Sequence, residues 1–251
     1  MLTLERKTHI LKALQRDGRI VAKAVSQELG LSEDTIRRDL RELAGQGLLQ
    51  RVHGGALPAS PAVADLVARQ SLSPEGKTAL GRAAAKMVKP GQIIFLDGGT
   101  TAIQIARHLD PNLKATFVTH SPNVAVALAD HTGIEVDLIG GRLFRHSMVA
   151  VGATAAETIA RIRADLYFLG VTGVHAEMGL TTGDPEEAAI KRALSRQSAE
   201  TIVLASREKL GTVSPFQIQQ LADIDVLVVE GGLPMELTDP FQEAGTTIAF
   251  A

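Results

Sequence analysis

Ser32-Glu33-Asp34-Thr35-Ile36-Arg37-Arg38-Asp39-Leu40, continued by Arg41-Glu42-Leu43, is the stretch whose reading decides how the start of this chain folds. Ser32 suits a helix N-cap, because its hydroxyl can accept from a first-turn amide. Ile36, Leu40 and Leu43 recur at the spacing that puts them on one helix face, which leaves Thr35, Arg37, Arg38 and Arg41 on the outer faces. Upstream, Val21, Ala24, Val25 and Leu29 form the apolar stripe of a shorter helix that stops at Gly30, so Gly30-Leu31-Ser32 is a tight turn between two helices. That arrangement is a helix-turn-helix. A first helix over residues 3–16 carries Leu4, Ile10, Leu11 and Leu14 and is stopped by Asp17-Gly18. Gly45 and Gly47 close the third helix, and a strand-like stretch with Leu48, Leu49 and Val52 runs to Gly54-Gly55. Three helices and a hairpin predict an all-α winged head over residues 1–57.

Residues 1–56 hold ten Lys+Arg against seven Asp+Glu, a net of +3, which leaves −5 on the remainder of a chain whose total is −2. A basic head on an acidic body suits a polyanionic partner for the head. Arg can bond both acceptors of guanine, and Thr can meet a thymine methyl or a phosphate. Ser32, at a helix start, suits a phosphate. On a lone helix such residues are more often a solvated face than a DNA-reading one. The three helices, the turn and the hairpin together favour the DNA reading.

The rest of the chain changes rhythm. Residues 58–73 hold Pro58 and Pro61, and Pro74 follows them, so this stretch reads as a linker with a short helix near residues 62–67. From residue 74 short apolar strands alternate with helices: strands near 93–96, 115–118, 134–139, 149–151, 166–169, 201–204 and 226–229, and helices near 79–88, 102–109, 122–129, 153–162 and 185–195. Continuous apolar strands between helices predict a Rossmann-like α/β domain with a mostly parallel sheet over residues 74–251. The 45% hydrophobic content supports a sizeable core, and at 3% aromatic residues that core is aliphatic. There is no cysteine, which removes disulfides, thiolate metal sites and cysteine nucleophiles. Charges interrupt the N-terminal apolar run, and no stretch has the length of a membrane span, so a cytoplasmic protein without membrane association is expected.

Asp97-Gly98-Gly99-Thr100-Thr101 follows a strand and opens a helix. In open α/β sheets ligands sit at the carboxyl ends of strands. Glycines let backbone amides approach an anion, and a helix N-terminus favours negative charge. Thr119-His120-Ser121 and Gly140-Gly141-Arg142 end further strands in the same manner. Any one of these turns alone is equally plain turn chemistry, and His120 reads either as a ligand contact or as a structural histidine.

The run Thr35-Ile36-Arg37-Arg38-Asp39-Leu40, with Leu43, Gly47, Leu48, Arg51 and His53-Gly54-Gly55-Ala56, closely resembles the head of DeoR-family bacterial regulators. The resemblance continues through residues 95–101, 118–121, 138–141, 168–173, Glu187 with Lys191, and Lys209 with Gly211. It implies a helix-turn-helix over residues 20–39 and a wing carrying Arg51 and His53. It also implies a sensor domain similar to sugar-phosphate isomerases that binds a phosphorylated sugar or related metabolite. By position, the implied effector residues are Asp97, Gly99, Thr100, Thr101, Thr119, Gly141, Glu187, Lys191 and Lys209. Most such relatives are repressors of sugar catabolism, which makes repression the default. One departure stands out: Ser206 occupies the place where the family commonly has an acid. An isomerase-like enzyme using Asp97, Glu187 and a histidine is the chief alternative, and a protein-binding winged helix the second. No cofactor and no metal are expected, since the histidines show no paired ligand spacing. The expected partners are double-stranded operator DNA, a phosphorylated effector, and further copies of the chain as a dimer or tetramer.

Overall fold

A computed structural model describes residues 2–251. The head runs α1 (Thr3–Asp17), β1 (Ile20–Val21), α2 (Ala22–Leu29), α3 (Glu33–Gly45), β2 (Leu49–Val52) and β3 (Gly55–Pro58). Ile10 and Leu14 of α1, Val25 of α2, and Ile36, Leu40 and Leu43 of α3 close over one core with Leu49 and Ala56. Gly30 leaves α2 in the left-handed conformation, and Ser32 caps α3 by accepting from the Thr35 amide. Asp39, on the inward side of α3, forms a buried ion pair with Arg6 of α1. It fixes the rotation of α3 relative to α1, because an unpaired buried charge there would be costly.

Two details of the head depart from the sequence reading. The inward residues of α2 are Ala22, Val25 and Ser26, whereas Val21 and Ala24 are exposed. Val21 is held extended by pairing with Gly55, so the helix starts one residue later and turns Ala24 to solvent. Leu48 is also exposed, because β2 begins at Leu49. The wing is accordingly a three-stranded antiparallel sheet, ordered β1-β3-β2, where the sequence shows only a hairpin beside helices. The His53-Gly54-Gly55 signature has a steric cause. Gly54 turns the chain with φ +76°, and a Cβ on Gly55 would lie 1.7 Å from the Ile20 carbonyl oxygen.

The chain continues through α4 (Leu66–Gln70), α5 (Pro74–Ala85), β4 (Ile93–Leu96), α6 (Thr100–Arg107), β5 (Ala115–Thr119), α7 (Pro122–Leu128) and β6 (Ile134–Leu138). Next come β7 (Arg142–Phe144), β8 (Val149–Val151), α8 (Ala153–Ile159), β9 (Ala164–Gly170), β10 (Gly173–His175), β11 (Gly179–Thr182), α9 (Pro185–Arg196) and β12 (Ser198–Ala205). The last elements are β13 (Phe216–Gln219), β14 (Val226–Val229), α10 (Met235–Glu243) and β15 (Ile248–Phe250). Seven strands form one all-parallel sheet ordered β15-β14-β12-β9-β4-β5-β6. Alternation within β4 shows why its residues are all apolar: Phe95 packs into the core on one face, Ile94 and Leu96 into the core on the other.

The second sheet, β10-β11-β13, has no counterpart in the sequence reading, and of the β7–β8 hairpin only β8 matches an expected strand, that near residues 149–151. The unanticipated strands β7, β10, β11 and β13 are three or four residues long and lack an apolar run, so only tertiary pairing defines them. Helix α5 begins at Pro74, five residues earlier than its apolar pattern indicates, because proline is accommodated in the first turn.

Residues 58–73, read as a linker, lie against the body. Ala59 bridges Val213, the Ser60 hydroxyl donates to the Thr172 carbonyl, and the Leu66 amide donates to the His146 carbonyl at 2.9 Å. Ser60, Ala62 and Leu66 are buried. Lys77 of α5 is also buried and donates to the carbonyls of Arg69 (2.6 Å) and Leu72, closing the end of α4.

Because a side chain at residue 55 must displace the Ile20 carbonyl, Gly55→Ala is expected to destabilise the head by about 2 kcal/mol or more. Chemical denaturation of the variant checks this, and a wild-type midpoint would remove the steric account of the signature.

Candidate ligand cleft and nucleic-acid interface

The carboxyl ends of β4 and β9 meet at Asp97, a carboxylate with no exposure. Its Oδ1 accepts from the Gly98 amide (2.7 Å) and faces His120 Nε2 (2.8 Å). Its Oδ2 accepts from the Gly170 amide (2.8 Å), Lys191 Nζ (2.5 Å) and the Tyr167 hydroxyl (3.2 Å). Burial opposes its ionisation, but the Lys191 charge and the His120 hydrogen bond outweigh burial and hold the carboxyl well below the usual range. The Tyr167 phenol is pushed up, first by its burial and then by the adjacent Asp97 charge. His120 is fully buried between Asp97 and the Ala150 carbonyl (2.9 Å), so of its two readings the structural one applies.

Above this network opens a narrow cleft. Its floor is the turn Gly98-Gly99-Thr100-Thr101 and the start of α6. Gly99 stands at the N-cap with φ +111° and offers no side-chain cap, so first-turn amides of α6 face the cleft without intrahelical partners. Cations surround it: Lys191 from α9, Lys209 from the turn after β12, Lys77 from α5, and Arg69 from α4. Lys209 is buried and forms no ion pair among the described residues; burial, with the charges of Lys77, Arg69 and Lys191, pulls its amine down to about 8. Arg69 Nη2 reaches the Ser147 hydroxyl at 3.2 Å, while Arg69 Nε and Thr101 Oγ1 are buried with no protein partner. Unpaired buried donors at a cationic cleft are what an anionic ligand would satisfy.

Of the effector residues expected from sequence, Gly99, Thr100, Thr101, Glu187, Lys191 and Lys209 line this cleft. Asp97 lies beneath it and is spent on internal partners. Thr119 and Gly141 are elsewhere. Thr119 is buried and its hydroxyl accepts from the Ser121 amide at 3.1 Å. Gly141 packs on the Val151 carbonyl and Ala155, where its missing Cβ makes room. Sequence reasoning missed Arg69, Lys77, Ser147, Thr172 and Thr182. Arg69 sits in the proline-broken stretch, and nothing local marks Lys77 among the other lysines. Ser206 is fully buried and donates to Glu208 Oε1 at 2.6 Å, so a carboxylate stands in this turn two residues after the expected place.

In the head, a second concavity lies between α3 and the wing and brings Arg37, Arg41, Arg51 and His53 together. Arg38 is exposed beside it. Thr35 and Ser32 hold each other through their hydroxyls at 2.9 Å at the start of α3. Arg37 pairs with Glu33 of the same helix at 2.7 Å, an exposed contact that is weak enough to exchange for a base or phosphate.

A winged helix-turn-helix joined to an α/β body with an anion-suited cleft defines a DNA-binding transcriptional regulator of the ligand-sensing class. The family model described as the DeoR-like helix-turn-helix domain matches residues 6–61, and that of the DeoR C terminal sensor domain matches residues 72–231. The chain is 37% identical over 251 residues to the HTH-type transcriptional regulator GlpR of Haloferax volcanii, covering 99% of this chain and 98% of that one. It is 33% identical to the HTH-type transcriptional repressor GlcR of Bacillus subtilis, over 90% of this chain and 88% of the relative. To the glycerol-3-phosphate regulon repressor of Haemophilus influenzae it is 29% identical, over 97% and 95%. This chain belongs to the DeoR family. No helix among the described residues is long and apolar enough to cross a membrane.

Asp97→Asn would leave Lys191 buried without its counter-charge, at a cost of about 3 kcal/mol. A carboxylate held below its unfolded value of about 4 contributes stability above that pH and loses it as pH falls. The variant is therefore expected to show a flatter acid limb in its stability profile, and an acid limb like the wild type's would remove Asp97 as its source.

Proposed function

We propose that the protein is a repressor of carbohydrate-metabolism genes whose operator affinity is set by a phosphorylated sugar or related metabolite. The observation that carries this reading is the convergence of Lys209, Lys77, Arg69 and the start of α6 on one cleft, with Arg69 supplied by the segment that leads to the head. In this reading the phosphate sits against Gly99, Thr100 and Thr101 with Lys209 neutralising it, and Glu187 accepts from ligand hydroxyls. Lys191 acts through Asp97, and Thr119 and Gly141 act through the strand ends they shape. The division of labour is a DNA reader over residues 1–57, a coupling segment over 58–73 and a sensor over 74–251. The repressor names of relatives such as GlcR support the sign of regulation.

The DNA contacts in this proposal are Arg37, Arg38, Arg41 and Thr35 from α3, Ser32 at its start, and Arg51 and His53 from the wing. One such helix reads few base pairs, which favours a homo-oligomer on paired half-sites, acting in the cytoplasm. An isomerase reading is less well supported. Asp97 is committed to five internal partners, which leaves Glu187 as the single carboxylate lining the cleft, and relatives such as GlpR and GlcR carry regulator names.

The test is a titration of full-length protein against the DNA flanking its own gene, at stated salt, with and without a panel of sugar phosphates. Selective, salt-sensitive binding weakened by a panel member is expected; turnover of a panel member with no selective binding would overturn the reading. Arg37→Ala is expected to cost about 1–3 kcal/mol on the selected operator and to relax base choice. Equal loss on all DNA would assign it to a phosphate. Lys209 is charged below about pH 8, so affinity for the phosphorylated effector is expected to fall as pH rises through that value. Lys209→Ala should weaken that affinity, remove this pH step and leave operator binding intact. A step that persists in the variant belongs to another group.

A further inference from the structure

The cleft does not end at Arg69. A second lobe of about 240 Å³ opens beyond it, sharing Ala62, Arg69, Ser147, Thr172 and Glu187 with the first. The two differ in chemistry. The first holds the lysines and the helix start. The second is walled by Val63 from the coupling segment and by Phe144 and His146 from the β7–β8 hairpin, and Arg69 on the border is its one strong cation. A second phosphate has little to bind there. A flat aromatic face beside a carboxylate, a hydroxyl and a guanidinium is instead the surface that suits a polyol, whose C–H face packs on the ring while its hydroxyls find donors and acceptors.

We propose that this lobe is the specificity subsite, seating the hexose-sized portion of a ligand whose phosphate occupies the first lobe. This rests on the phosphorylated-effector reading above. Arg69 spans the border: its unpaired Nε serves the ligand, while its backbone carbonyl is held by Lys77. The lobe also touches the contacts that dock the coupling segment. His146 holds that segment twice, through Nε2 to the Val63 carbonyl at 2.8 Å and through its own carbonyl to the Leu66 amide at 2.9 Å. A sugar lying on Phe144 and His146 bears directly on this attachment, so the subsite that selects the ligand is also the one placed to reposition the head. A ligand confined to the first lobe lacks that lever.

The experiment is calorimetric titration of full-length protein with inorganic phosphate, glycerol 3-phosphate and a set of hexose phosphates. Two variants act on the lobe from opposite walls: Phe144→Ala removes the ring, and Val63→Phe fills the space from the half-exposed coupling segment. In the wild type at least one hexose phosphate is expected to bind about tenfold or more tighter than inorganic phosphate, a gain typical of one good set of additional contacts. Both variants should lose most of that advantage and keep the affinity for inorganic phosphate. The inference is overturned if no hexose phosphate outbinds inorganic phosphate in the wild type, if the variants retain the preference, or if they lose both ligands in parallel. In those cases phosphate still binds the wild type and the effector reading stands. Absence of binding by every phosphate compound to the wild type would remove that reading and the inference together.

Discussion

A carboxylate buried without exposure is costly, and Asp97 is tolerated because Lys191, His120, Tyr167 and the Gly98 and Gly170 amides all meet it. Those partners come from β9, α9, the turn after β5 and the turn after β4. One ionised side chain thereby ties together the sheet ends and the helix that frame the cleft. The turn Gly98–Thr101 then points the start of α6 at the space bounded by Lys209 and Glu187. The same commitment leaves Asp97 beneath the cleft and off its lining.

A comparable constraint operates in the head at smaller scale. Arg6 and Asp39 neutralise one another inside the helix bundle, and the rotation of α3 that they set leaves Arg37, Arg38 and Arg41 outward. The wing adds Arg51 and His53 at the same concavity because Gly55 permits β1 and β3 to approach. Between head and body, residues 58–73 are bonded at Ser60, Val63 and Leu66 and contribute Arg69 to the cleft. A ligand can shift operator affinity only through contacts that differ between two arrangements of the protein. The docked segment is where such a difference has a short path from cleft to head.

Much of this protein is determined by its sequence alone. The spacing of Ile36, Leu40 and Leu43, the Ser32 cap and the Gly30 turn specify the helix-turn-helix, since each acts within a few residues. The apolar runs at Ile93–Leu96 and Val226–Val229 specify a buried parallel sheet, because both faces of such strands are covered. The glycine-rich turn after β4 is legible for the same local reason. What the tertiary structure decided is which of many polar residues meet. Asp97 and Lys191 are 94 positions apart, and Arg69 and Ser147 are 78 apart. No periodicity records that Thr119 and Gly141 turn away from the cleft while Arg69 and Lys77 turn towards it. The proline-broken stretch at residues 58–73 reads as a linker because its own pattern supports no core, and its order comes from hydrogen bonds to Val213, Thr172 and His146. Local structure follows from interactions between near neighbours, which a sequence displays. A binding site is made by long-range contacts whose partners only the packed chain brings together.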